Sequence, residues 1–192
     1  GKIEFAGKAK NGLQVKEDQF IADAELALNN LDNEIEVQTE EIKSKIEIAQ
    51  SLQDMGIKEL IGTGHTAFAG SHTNRIHNID VGIAKFNGII IKPGETFSFN
   101  DNLGEVDAST GYKLELVIKA EGTVPEYGGG LCQVSSTVFK AALFSGLPIV
   151  ERAPHSYAVS YYAQIDGYGL DATIYPGVRD FKFLNDTGHN IL

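Results

Sequence analysis

The stretch from Tyr127 to Pro148, YGGGLCQVSSTVFKAALFSGLP, constrains the fold of this chain more than any other. Three consecutive glycines remove side-chain bulk and open backbone conformations at positive φ, so another backbone or a ligand can approach closely. Residues 132–145 then place Val134, Val138, Ala141 and Ala142 on one face of a helix, and Gly146-Leu147-Pro148 stops it. A helix pinned between a glycine break and a Gly-Leu-Pro stop is a rod of set length, against which the neighbouring short elements must pack.

Those neighbours read as short strands and two further helical stretches. Residues 16–30 fit an amphipathic helix with Phe20, Ile21, Ala24, Leu26 and Leu28 inward, closed by Asn29 and Asn30. Ile35, Val37 and Ile42 alternate as in a half-exposed strand, residues 43–55 read as a short helix ended by Gly56, and 57–61 as a strand. Residues 71–88 carry Ile76, Ile79, Ile83 and Phe86 at helical steps, with Gly88 as the stop. Further strands are expected at 89–91, 96–99, 114–118, 149–152, 157–162, 171–175 and 180–184, with a turn at Pro93-Gly94 and a polar loop at 100–104. The fold class is α+β, with short, mostly antiparallel strands around a central helix that starts at the cysteine. The break at Gly62-Thr63-Gly64 divides the chain into 1–62 and 63–192.

Charge narrows the function. The chain has 16 basic and 26 acidic residues, a net charge of -10, and no Lys/Arg cluster. Nucleic acid and anionic membrane surfaces need a basic patch, so neither is an expected partner. No apolar run approaches the roughly 18 residues of a membrane span. The sequence opens at Gly1 without an initiator Met and reads as a piece of something longer, so the lack of a leader carries no information about compartment.

The single cysteine, Cys132, cannot form an intrachain disulfide. At the start of a helix its thiol meets unpaired N–H groups and the positive end of the macrodipole, which favour a thiolate. The same groups can stabilise an oxyanion on a carbonyl under attack. The alternative is a buried structural cysteine at a tight turn. A cysteine nucleophile needs a base. A 14-residue helix spans about 21 Å and a return strand of about seven residues covers the same distance, which brings His155 back beside Cys132. Asp171 is the candidate to orient the imidazole, ahead of Ser156 and Tyr157; a solvated turn aspartate is the other reading. Gly129 and Gly130 are candidates to line the substrate site. Arg75 and Arg152 can each hold a substrate carboxylate or an internal salt bridge. Tyr161, Tyr162 and Tyr168 can line a groove or face the core. His65, His72 and His77 show no zinc-motif spacing, so no metal and no other cofactor is expected.

Five blocks, NRIHNI (74–79), NGIIIKPGETFSFN (87–100), GGGLCQVSSTVF (128–139), VERAPHS (150–156) and DATIYPGVRDFKFLN (171–185), resemble the VanW domain of bacterial cell-wall proteins. Residues 1–62 resemble more weakly the tail of the peptidoglycan-binding-like domain that often precedes it. The resemblance implies an extracytoplasmic protein, held by a membrane anchor outside this sequence and acting on peptidoglycan stem peptides. It implies either a cysteine L,D-transpeptidase, with Cys132 as nucleophile and His155 as base, or a non-catalytic wall-binding module.

Overall fold

The computed structural model describes residues 12–31, 34–42, 52, 54–119 and 122–192, and divides into two compact units between Asp54 and Met55. The first unit contains β1 (Gly12–Val15), α1 (Glu17–Asn30) and β2 (Thr39–Ile42). β1 and β2 pair antiparallel, Gly12 opposite Ile42 and Val15 opposite Thr39. The helix expected at 16–30 is present, but it closes on Leu31 in the left-handed region rather than on an asparagine. Only Ala27 is buried along it, while Ile21, Leu26 and Leu28, expected to face inward, are exposed. Ile35 and Val37 precede β2 instead of forming it. Most of the helix expected at 43–55 falls outside the described residues.

The second unit runs through α2 (Thr73–Phe86), β3 (Thr96–Ser98), α3 (Phe99–Leu103), β4 (Leu114–Lys119), β5 (Gly122–Tyr127), α4 (Leu131–Phe144), β6 (Ile149–Glu151) and β7 (Lys182–Leu184). This is an α+β fold of short antiparallel strands, with β7 central to a sheet ordered β3-β7-β6 and β4-β5 as a separate hairpin. Its core is aromatic. Phe97 stacks on Phe183 with ring centroids 4.8 Å apart, and Phe139 of α4 meets Phe181 edge-on at 5.6 Å. Ile79, Leu103, Leu131, Val134 and Ala172 belong to the same cluster.

Helices α2 and α4 meet at Gly82, where a Cβ would come within 2.5 Å of Leu131. Glycine thus lets the two helices approach closely at the crossing near the start of α4, where any larger residue would have to displace the Leu131 side chain. No transmembrane-length apolar helix occurs among the described residues.

Several short elements differ from expectation. Residues 100–103 are not a loop but part of α3, which Gly104 closes, because the Ser98 hydroxyl caps its first turn by accepting the Asp101 N–H at 3.1 Å. Residues 157–162 form no strand; 160–162 make a 3₁₀ turn. Residues 89–91 contribute only the bridge of Ile91 to Ile191, and 57–61 form no strand. The hairpin strand β5 was not anticipated, since Pro125 and Gly122 hide its pattern.

Residues 62–64 press directly on α4. A Cβ on Gly64 would lie 2.1 Å from the Thr137 carbonyl oxygen and 2.5 Å from the Ala141 nitrogen. Both are backbone atoms, which cannot swing aside. Gly64→Ala is expected to lower stability by about 1–3 kcal/mol through overpacking. A urea midpoint equal to that of the parent chain would show that the segment can lift off the helix.

Candidate active site

The glycine turn is held by one buried side chain. Asn78 of α2 donates from Nδ2 to the Lys113 carbonyl at 2.9 Å and the Gly129 carbonyl at 3.1 Å, and its Oδ1 accepts the Lys113 N–H at 2.8 Å. The turn and the start of β4 are thus tied to the same helix. Gly130 has φ +115 and caps α4, a conformation that side chains other than glycine rarely adopt. Helix α4 therefore begins at Leu131, and Cys132 is its second residue. The thiol sits within the first turn, where the macrodipole favours negative charge.

A second set of contacts brings residues 171–174 to the same helix. Ser135 donates its hydroxyl to the Ala172 carbonyl at 2.6 Å, and the Ser136 hydroxyl accepts the Ala172 N–H at 3.0 Å. The two serines after the cysteine are clamps. Alongside, the Thr173 N–H donates to the Ala153 carbonyl at 2.8 Å, so the return segment that ends in His155 runs antiparallel to 171–174.

These two clamps assemble Cys132, His155 and Asp171. On one side the His155 imidazole lies close enough to the Cys132 thiol that each shifts the other's protonation. On the other, its Nδ1 lies 2.6 Å from Asp171 Oδ2, which also accepts the His155 backbone N–H at 2.8 Å. With Nδ1 engaged by the carboxylate, Nε2 is the nitrogen left to face sulfur. The thiol also lies 3.7 Å from the Thr173 hydroxyl and 3.8 Å from the Ile174 carbonyl oxygen. The imidazole is 6% exposed and the Asp171 side chain 15%, so the pair is screened from water but not sealed.

The charges follow the geometry. Burial pushes the Cys132 thiol up, but the hydrogen bond and charge of His155 outweigh it, and the thiol ends below its ordinary value. Burial likewise lowers His155, and its bonds to Cys132 and Asp171 raise it above the ordinary value. Asp171 is raised by burial and then lowered on balance by the His155 N–H, the imidazole and Arg152. All three directions favour a thiolate beside an imidazolium beside a carboxylate. Tyr162 packs on the imidazole at 5.0 Å between ring centroids; burial and the Cys132 charge hold its hydroxyl well above the usual range and hence protonated.

Residues 74–192 match the family described as VanW like protein. The chain belongs to the VanW family. It is 37% identical over 161 residues to the uncharacterized protein YoaR of Bacillus subtilis (strain 168), which covers 83% of this chain and 51% of that protein. It is 36% identical over 115 residues to the vancomycin B-type resistance protein VanW of Enterococcus faecalis (strain ATCC 700802 / V583), 59% of this chain and 42% of that one. The chain therefore spans about half, or less, of the length of these curated relatives. No solved structure matches it.

Within the VanW region the other expected site residues separate. Gly129 is buried, and a Cβ there would come within 2.9 Å of the Glu115 and Leu116 backbone, so its missing side chain makes room for β4. A Cβ on Gly130 would meet Arg75 and Ile79 at 3.1 Å. Arg152 donates Nε to the Asp171 carbonyl at 2.6 Å, and Nη2 to the Gly169 carbonyl at 2.7 Å and to Asp171 Oδ1 at 3.2 Å. Its guanidinium also lies over the Phe139 ring at 5.1 Å. Arg152 thus grips the carboxylate that grips His155. Arg75 reaches the start of α4, with Nη2 on Gln133 Oε1 and Nη1 on Ser71 Oγ, each at 2.8 Å. Thr173 and the serine pair were not singled out from the sequence. Ser135 and Ser136 lie in the glycine-cysteine block, but a serine inside a helix pattern carries no sign of a partner 36 or 37 residues away.

Proposed function

We propose that the chain is the catalytic part of a cysteine-dependent L,D-transpeptidase that acts on peptidoglycan stem peptides outside the cytoplasmic membrane. The observation that carries this reading is the Cys132–His155–Asp171 arrangement at the start of α4. The substrate class rests on membership of the VanW family and on likeness to a protein named for vancomycin resistance. Stem peptides are the substrate class that we assign to the acyl-transfer site on that ground.

The chemistry uses only groups already in place. The Cys132 thiolate attacks the carbonyl carbon of the stem's third residue, and the α4 N-terminus favours the oxyanion that forms. The carbon–nitrogen bond breaks as the imidazolium of His155 gives its proton to the departing amine. A thioester on Cys132 remains. The side-chain amine of a second stem then attacks it; neutral His155 takes the proton of that amine, an amide forms, and the thiolate leaves. Asp171 keeps Nδ1 protonated, so Nε2 handles the proton in both half-reactions.

The test is a mass measurement. Incubation with a disaccharide-tetrapeptide is expected to give a cross-linked dimer and, at short times, a hydroxylamine-sensitive adduct on the peptide that contains Cys132. No adduct and no dimer would end the enzymatic reading. Retention on peptidoglycan sacculi without either product would replace it with a wall-binding role.

A further inference from the structure

Four lysine or arginine side chains among the described residues are buried or half-buried: Arg75, Lys140, Arg152 and Lys182. Three of them have carboxylates. Lys140 lies 2.9 Å from Asp166, Arg152 holds Asp171, and Lys182 lies 2.8 Å from Glu151. Arg75 is different. Its hydrogen bonds go to a serine hydroxyl and a glutamine amide oxygen, and its guanidinium lies 4.9 Å from the Tyr161 ring centroid. All these partners are neutral, in a chain with 26 acidic residues to 16 basic ones.

The guanidinium is nevertheless held firmly. Gln133 is 1% exposed, and its other end donates Nε2 to the Ala67 carbonyl at 3.1 Å, so the amide oxygen facing Arg75 is fixed. The two bonds leave further N–H donors on the planar fork, which matches a carboxylate in two-point geometry. The position is at the start of α4, on residues that flank the cysteine. Gln133 follows Cys132 in the chain, and the Arg75 stem packs on the α carbon of Gly130, two residues before it. Arg75 and Cys132 both act electrostatically on the Tyr162 hydroxyl. A half-buried cation whose hydrogen-bond and ring partners are all neutral, at the helix start that carries Cys132, suits an anion that arrives with the substrate.

The geometry points to Arg75 as the group that binds the C-terminal carboxylate of the acyl donor, so that the site accepts stems whose leaving residue ends in a free acid. This rests on the transpeptidase reading for its substrate class, and deepens it by naming what the site recognises. Tyr161 lies over the guanidinium face, and Ser71 and Gln133 each take one N–H, so a carboxylate would use N–H groups that these two bonds leave over.

The experiment reads binding, not turnover, and so is independent of whether acyl transfer occurs. The full chain carrying Cys132→Ala is titrated by calorimetry with the synthetic tetrapeptide L-Ala-γ-D-Glu-L-Lys-D-Ala and with its C-terminal amide. The free acid is expected to bind roughly 10- to 100-fold more tightly, the value of a charge-assisted pair. Arg75→Gln in the same background is expected to bind both peptides equally, and Arg75→Lys to keep a reduced preference. In the chain with Cys132 intact, Arg75→Gln is expected to leave the rate of Cys132 alkylation by iodoacetamide within about twofold, since Arg75 contacts none of His155, Asp171 and Thr173. Equal binding of acid and amide, no binding of either, or an acid preference that survives Arg75→Gln overturns the assignment. An acid preference in a chain that yields no thioester or dimer would instead leave the carboxylate site standing and remove the transpeptidase reading.

Discussion

Cys132→Ala and His155→Ala are each expected to lower cross-link formation by about a thousandfold or more, and the double variant is expected to be no slower than either single one. A nucleophile and the base that activates it act as a unit, so removing the second after the first takes nothing further away. The structure adds a specific expectation for His155→Ala. Burial pushes the Cys132 thiol up, and the imidazole is the largest influence bringing it down, ahead of Ile174 and Thr173. Without His155 the thiol should titrate above its usual value of about 8.5, and alkylation by iodoacetamide at pH 7 should slow by roughly 10- to 100-fold.

In the parent chain the signs are opposite: Cys132 is lowered and His155 raised. The thiolate–imidazolium pair therefore exists in the window between the two. Its reactivity is lost on the acid side as the thiolate takes up a proton. On the alkaline side the imidazolium loses the proton needed by the leaving amine. A bell-shaped rate profile with an alkylation inflection below the ordinary thiol value is expected, and the two inflections belong to the pair. A double variant ten times slower than either single variant would mean that the two side chains act separately. An alkylation inflection at or above 8.5 in the parent chain would remove the activation argument itself.

How much of this was legible beforehand depended on whether a constraint was local. The glycine break, the helix that follows and its stop are set by conformational preferences within a few residues, and α4 appears one residue from where they place it. Helix α2 is similar in extent, its end set by Gly88 at φ +83, but of its expected face Ile79 is buried and Phe86 half-buried while Ile76 and Ile83 are exposed. The approach of His155 to Cys132 was readable because a helix and its return segment have fixed rises. Asp171 could be chosen only from a short set of candidates, because its meeting with His155 depends on hydrogen bonds made by Ser135 and Ser136 to residues far along the chain. The roles of the two arginines were not readable at all. Each could take a substrate carboxylate or an internal one, and only the fold sets Arg152 on Asp171 and Arg75 among neutral partners. The short elements failed where one side chain decides the matter. The Ser98 cap turns an expected loop into α3, and the strand expected at 157–162 gives way to a 3₁₀ turn whose Tyr162 is buried against His155. The glycines, expected to line the substrate site, instead admit β4 and Arg75 to the start of α4.

Asp171→Asn is expected to lower kcat by roughly 100- to 10,000-fold, with KM little changed. Asp171 Oδ2 accepts both the Nδ1–H and the backbone N–H of His155, so it fixes the ring and its tautomer together. An asparagine amide can keep the ring in place while presenting N–H to Nδ1. The imidazole then carries its proton on Nε2, pointing at sulfur, and can neither accept the thiol proton nor form a stabilised imidazolium. Arg152 would remain attached through the Asp171 and Gly169 carbonyls, which the substitution leaves intact, so the segment should stay folded. The electrostatic part has its own sign. Asp171 is depressed in the folded chain, so its contribution to stability is full above the unfolded carboxylate value of about 3.9 and is lost as pH falls through the depressed folded value. The stability difference between the parent chain and Asp171→Asn should therefore shrink below about pH 4, and should also fall above neutrality as His155, which Asp171 helps to hold above its ordinary value, loses its proton. A variant that keeps its melting temperature and its Cys132 alkylation rate at pH 7 would separate Asp171 from the thiol altogether. A loss confined to KM would move it from the proton relay to substrate binding. The expected pattern, a fallen kcat with a slowed alkylation, is the one that a merely structural aspartate would not produce, because it requires the carboxylate to act on sulfur through the ring that lies between them.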